Sequence, residues 1–167
     1  MRTNTRDIEY MREALELARR GEYSTSPNPA VGCVIVKDDE IIGRGFHHLA
    51  GENHAEIEAI RDAGDRTKMA TAYVTLEPCS HKGRTGPCVE ALISAGISRV
   101  VYACGDPNPK VSGTGHRTLC DAGIDVLSGV CEMEALELNQ GFIKRMAKGQ
   151  PYVRLKMAMS LDGAMAM

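Results

Sequence analysis

The sequence predicts a layered α/β fold built on a mixed central sheet. Three features carry that prediction. Two apolar runs form a hairpin early in the chain, strand-like and helix-like segments alternate after it, and the apolar content suffices for a core. The 167 residues are 43% hydrophobic and 25% charged, the balance of one ordinary globular domain with room for an appendage.

The elements follow in order. Between residues 6 and 20, Ile8, Met11, Leu15 and Ala18 recur at helical spacing, and Gly21 supplies a stop. The stretch from Ser24 through Pro27-Asn28-Pro29 holds two prolines and reads as a loop. Residues 31–36 form a short apolar run, Lys37-Asp38-Asp39-Glu40 turns the chain, and residues 41–46 lead back as the second strand. A helix begins near His54, with Asn53 as its cap, and ends by Gly64. Strands are expected over 72–76, 99–104 and 124–127, and helices over 87–95, 116–122 and 132–148. After Gly149-Gln150-Pro151, residues 152–159 carry the pattern of one more strand, either an edge of the same sheet or the first strand of another unit.

Composition narrows the function. The net charge is −2, so no global basic field invites nucleic acid, and no Trp with only two Phe and five Tyr leaves little for base stacking. No apolar run reaches the roughly 18 residues of a membrane span, so no membrane partner is expected. The polar first dozen residues argue against a secretory signal, which makes a cytoplasmic address the expectation. In that compartment the six cysteines read as packing residues or metal ligands before disulfides. Cys33, Cys104, Cys120 and Cys131 lie in or beside apolar elements and read as small hydrophobes, and His116 reads as a surface residue. The methionines at 157, 159, 165 and 167 read as strand packing.

One constellation carries chemistry. His54-Ala55-Glu56, then Pro78-Cys79, then Pro87-Cys88 offer one imidazole and two thiolates beside a carboxylate. A catalytic zinc site needs three such ligands and keeps its fourth position for water. Two thiolates already balance the charge of the ion, so the water's proton needs an acceptor close by, and Glu56 is placed to be one. Positions two apart in a helix interior point nearly opposite ways, so His54 and Glu56 can cooperate only at a helix start. Cys88 follows Pro87 at another helix start, where the dipole favours thiolate. Cys79 follows a strand end, where α/β sheets present ligands.

His54-Ala55-Glu56 with Pro78-Cys79 and a later cysteine resembles the cytidine-deaminase superfamily, in which the Glu shuttles protons and does not ligate. The commonest form has two residues between the cysteines, whereas here eight intervene, from Ser80 to Pro87. That insertion, in the run Thr75-Leu76-Glu77-Pro78-Cys79-Ser80-His81 through Gly83-Arg84-Thr85 to Pro87-Cys88, is similar to the deaminase domain of bifunctional riboflavin-biosynthesis deaminase-reductases. Pro27-Asn28-Pro29-Ala30-Val31-Gly32 and Asp106-Pro107-Asn108-Pro109-Lys110-Val111 match the same family.

The resemblance implies a three-layer cytidine-deaminase-like fold with helices on both faces of the sheet. It implies one Zn2+ held by His54, Cys79 and Cys88, with Glu56 as the catalytic proton carrier. The implied substrate is a diaminopyrimidinone bearing a ribosylamino 5′-phosphate, hydrolysed at the ring C2 amino group. By the same resemblance Asn28, His47, Asp106 and Asn108 contact substrate, and His81 and Arg84 take the phosphate, with Lys82 turned to solvent. Physical chemistry agrees in kind, since Arg grips phosphate bidentately and the glycines at 83 and 86 let the loop fold closely. A homo-oligomer is implied as well. Residues 1–149 are expected to form the deaminase domain and residues 150–167 the truncated start of a reductase domain, whose NADPH chemistry is not expected here. Two other readings stay open on the residues alone: a nucleic-acid deaminase of the tRNA type, and a non-catalytic zinc-stabilised module.

Overall fold

The computed structural model describes residues 4–80, 86–108 and 112–165. Its centre is a five-stranded sheet in the order β2-β1-β3-β4-β5, with β1 at Gly32–Lys37, β2 at Glu40–Phe46, β3 at Thr71–Leu76, β4 at Arg99–Cys104 and β5 at Asp125–Ser128. The hairpin pair β1–β2 and the pair β1–β3 are antiparallel, whereas β3, β4 and β5 run parallel. The mixed sheet expected from the sequence is therefore present. Asp38 and Asp39 both take positive φ, the conformation that closes a two-residue hairpin turn.

Side-chain alternation builds a core on each face. Cys33 and Ile35 of β1 pack with helices α2 (Ala55–Ala63), α3 (Cys88–Ser94) and α4 (Thr114–Asp121), through Ala59, Leu92 and Leu119. Val34 and Val36 point the other way, onto α1 (Thr5–Arg19) and α5 (Glu132–Leu138), with Met11, Leu15 and Ala135. Helices thus cover both faces, the three layers that the resemblance implies. Helix α2 lies very close to β2. A Cβ added at Gly45 would stand 2.3 Å from the Ala55 carbonyl oxygen and 2.4 Å from the Ala59 nitrogen. Only glycine allows that approach, and it sets the height of the helix start that carries His54 and Glu56.

Helix α1 is fixed to the sheet by a buried ionic network. Asp7 closes a capping box with Asn4, receives two hydrogen bonds from Arg99 at 2.8 and 3.2 Å, and one from the Tyr73 hydroxyl at 2.9 Å. Burial alone would raise the Asp7 pKa, but the bonds from Arg99, Asn4 and Tyr73 outweigh it and hold the carboxyl below its usual range. Because the folded pKa lies below the unfolded one, this stabilisation is complete above the unfolded value and disappears as pH falls through the folded value. Asp7→Ala is expected to cost about 3 kcal/mol at pH 7, since it strands Arg99 and Tyr73. Urea titrations should show the gap between variant and wild type narrowing as pH falls below the ordinary aspartate range.

Three sequence expectations are corrected. The segment 132–148 is two helices, α5 and α6 (Gln140–Lys148), broken at Asn139. The Asn139 amide leaves the helical path to pair with Ala30, donating to its carbonyl at 2.9 Å and accepting from its N–H at 2.8 Å. Residues 152–159 do not join the sheet; within the described tail the one bridge is Met159 with Met165. Val153, Leu155, Met157, Met159 and Met165 stand exposed, so these methionines do not pack in a strand, and Met167 lies outside the described residues. His116 is half-buried rather than a plain surface residue, with its Nδ1 2.9 Å from the Tyr102 hydroxyl. No helix among the described residues is long and apolar enough to cross a membrane.

Candidate metal centre and its cavity

The three expected ligands converge at the edge of one sheet face. His54 is the N-cap of α2, in extended backbone at φ −75° and ψ 162°, and Glu56 lies in the first turn behind it. The requirement that this pair work from a helix start is met. Cys79 stands three residues beyond the end of β3, and Cys88 opens α3 directly after Pro87. His54 Nδ1 lies 3.1 Å from Cys88 Sγ and 3.5 Å from Cys79 Sγ, and the Cys88 backbone N–H points at Cys79 Sγ from 3.4 Å.

All three donor atoms fall within 4.8 Å of one another. A tetrahedral zinc with bonds of about 2.3 Å to sulfur and 2.0 Å to nitrogen requires N···S separations of roughly 3.5 Å. The donor set and its spacing therefore fit zinc. Among the described residues this is the one cluster of such side chains with that compactness.

The electrostatics show why a cation belongs here. A hydrogen bond from Cys88, against the cost of burial and helped by His54, pulls the Cys79 pKa down to about 4. The same bond, together with burial and the nearby Glu56, pushes Cys88 far up. Two sulfurs and a carboxylate share one buried pocket, so each negative charge there opposes the next and a cation relieves them all. His54 is raised by its hydrogen bond to Cys79 in spite of burial. Burial chiefly raises Glu56, with the Cys79 charge adding and His54 opposing. Glu56 is only 3% exposed, so it is a dry carboxylate beside the ligand cluster.

The cluster opens into a cavity of about 520 Å³, within the range of small-ligand sites. Asn28, His47, Asp106 and Asn108 line it together with His54, Glu56 and Cys79, so four of the six expected substrate residues are brought to the metal ligands. His81 and Arg84 lie outside the described residues, as does Lys82. His47 is buried and meets His54 edge-on, with ring centroids 5.5 Å apart. Burial holds its pKa below the usual value. Its Nδ1 must carry the hydrogen, because the Asn53 carbonyl 2.9 Å away can only accept, and Nε2 then accepts from Asn28 Nδ2 at 3.1 Å. Asn53 itself does not cap α2; its amide donates to Glu58 Oε1 at 2.8 Å. Asp106 Oδ1 receives the Asn108 backbone N–H at 2.8 Å, an Asx turn that stiffens their loop.

Sequence reasoning missed several groups. Phe142 and Met146 of α6 supply an apolar wall of the cavity, and Glu77 lies at its base. Asn139 holds Ala30, and so the Pro27–Asn28–Pro29 strap, against that wall. An Asn inside a helical pattern is the one signal that could have found it. Asn139→Ala would leave both Ala30 backbone groups buried without partners. It is expected to cost about 2–3 kcal/mol in urea unfolding, with retention of zinc.

The comparisons with known proteins agree with this geometry. Residues 4–104 match the family model described as the cytidine and deoxycytidylate deaminase zinc-binding region. The chain is 54% identical over 145 residues to the diaminohydroxyphosphoribosylamino-pyrimidine deaminase of Buchnera aphidicola from Acyrthosiphon pisum, covering 87% of this chain and 99% of that protein. It is 60% identical over 161 residues to the riboflavin biosynthesis protein RibD of Escherichia coli, covering 96% of this chain. There it spans 44% of the relative's length. The structure of Acinetobacter baumannii RibD superposes with a TM-score of 0.93 at 60% identity, over 97% of this chain and 46% of that one.

Proposed function

This chain belongs to the cytidine and deoxycytidylate deaminase zinc-binding family, and on that premise we propose that it hydrolyses the C2 amino group of a diaminopyrimidinone bearing a ribosylamino 5′-phosphate. The substrate is 2,5-diamino-6-(5-phosphoribosylamino)pyrimidin-4(3H)-one, and the products are the 5-aminouracil counterpart and ammonia. The observation that carries this reading is Glu56, dry and in the first turn of the helix whose cap supplies the ligand His54. The cavity in front of it is lined by Asn28, His47, Asp106 and Asn108. The relative of which this chain covers 99% bears that substrate in its name.

His54, Cys79 and Cys88 would hold the zinc. When bound, the ion supplies the Lewis acidity that makes water a nucleophile at neutral pH. Glu56, its carboxyl raised by burial, would accept a proton from the attacking water. As the water oxygen bonds to C2 and the exocyclic C–N bond breaks, Glu56 would deliver the first proton to the amino nitrogen, which leaves as ammonia, and the oxygen's second proton would pass to the adjacent ring nitrogen, leaving a C2 carbonyl. His47, neutral and with its Nε2 occupied by the Asn28 amide, orients Asn28 so that its amide oxygen meets a ring or ribose donor. Phe142 and Met146 give the pyrimidine face an apolar wall. His81 and Arg84 are assigned to the phosphate, in keeping with the basic loop between two ligands.

Residues 150–167 are assigned to the opening of a reductase unit, to which NADPH would belong; the exposed row Val153, Leu155, Met157 supports that reading. The assembly is assigned as a homo-oligomer, which sedimentation equilibrium tests. The activity is tested by coupled ammonia release from the diaminopyrimidine phosphate, with zinc measured on the same sample. Ammonia stoichiometric with substrate is the expected result. None from a zinc-replete sample would overturn the reading.

A further inference from the structure

We infer that Glu77 is a positioning residue that ties the loop carrying Asp106 and Asn108 to the turn carrying the ligand Cys79. The inference rests on the reading above in one respect, that Asp106 and Asn108 meet the substrate. Glu77 directly follows β3, two residues before Cys79, and is 4% exposed. Its backbone is fixed to the end of β4, where its N–H donates to the Cys104 carbonyl at 2.9 Å. Its carboxylate reaches across to the segment that leaves β4. Oε2 accepts from the backbone N–H groups of Gly113 at 3.0 Å and Asp106 at 3.4 Å, and Oε1 accepts from that of His116 at 3.1 Å.

One carboxylate thus gathers backbone donors from both ends of the same loop. Gly113 is the N-cap of α4, at φ 74°, and has no side chain to cap with. Glu77 caps that helix from another strand, where the positive end of the helix favours an anion. The contact is tight. A Cβ added at Gly115 would stand 2.1 Å from the Pro78 carbonyl oxygen and 3.2 Å from Glu77 Oε1. Ser80 and Thr114 join their hydroxyls 2.6 Å apart on the outer side of the same seam. The helix start, the ligand turn and the Asp106 loop therefore move as one body, and Glu77 is the group common to all three. Glu77 does not carry the reaction's proton. Its oxygens face backbone donors, and Glu56 already stands beside the ligands.

A buried acid could serve folding alone, and the test separates the two roles. Glu77→Gln keeps the shape but sets an NH2 group against backbone donors. In the full zinc-loaded chain it is expected to raise KM for the diaminopyrimidine phosphate about 10- to 100-fold, with kcat within about threefold. Zinc content should stay at the wild-type level, and the amides of Gly113 and His116 should exchange with solvent at least about tenfold faster. Gly115→Ala, which wedges α4 off the Pro78 carbonyl and presses on Glu77 Oε1 without replacing that residue, should reproduce the KM-selective loss. A lowered Tm with KM and exchange unchanged in either folded variant would overturn the inference. If the wild-type chain releases no ammonia from this substrate, the proposed function fails, and amide exchange in the Glu77→Gln protein still decides the tether.

Discussion

Glu56→Gln is expected to lower ammonia release about 10²- to 10⁴-fold while zinc stays at the wild-type content. The magnitude follows from what the side chain does. Glu56 is 3% exposed, in the first turn of the helix that His54 caps, so its carboxylate has little water to share its proton with. Burial raises its pKa, and the Cys79 charge adds to the rise, which brings the group nearer to the pH where proton uptake and return are both fast. Gln has the same shape and cannot titrate. It should therefore leave KM within a few-fold and remove the proton carrier alone. A non-catalytic zinc module would tolerate the change, and a fall of less than about tenfold in kcat would favour that reading. Zinc analysis on the same sample excludes loss of metal as the cause.

The clustering of His54, Cys79 and Cys88 was legible in the sequence because each residue sits where local rules put it. His54 precedes an apolar helical run, Cys79 follows a β-branched strand and Cys88 follows a proline at a helix start. The mixed sheet was legible for the same reason, since the hairpin and the three later strands carry both faces of the core in their alternation. What stayed hidden depends on long-range partners. Asn139 breaks a helix because Ala30, 109 residues earlier, offers it both backbone groups. Glu77 stands in a quoted motif, but its work is done on amides 29 to 39 residues later.

Cys88→Ala is expected to abolish both zinc retention and ammonia release, and to leave a protein that zinc no longer stabilises. The Cys79 and Cys88 sulfurs and the dry Glu56 carboxyl crowd into one pocket, where negative charges oppose one another. A divalent cation would offset that charge and satisfy both sulfurs and His54 at once. Binding to the folded state alone stabilises it by about 4 kcal/mol at a thousandfold excess over Kd, or on the order of 10 °C for a domain this size. Wild-type Tm should therefore fall by about that amount on chelation and recover with added zinc. Cys88→Ala removes one of three ligands, and two ligands hold zinc too weakly for that linkage to operate. The Tm of Cys88→Ala should match that of chelated wild type and stay flat through a zinc titration. A Tm that rises with zinc in this variant would place the stabilising metal site elsewhere in the chain.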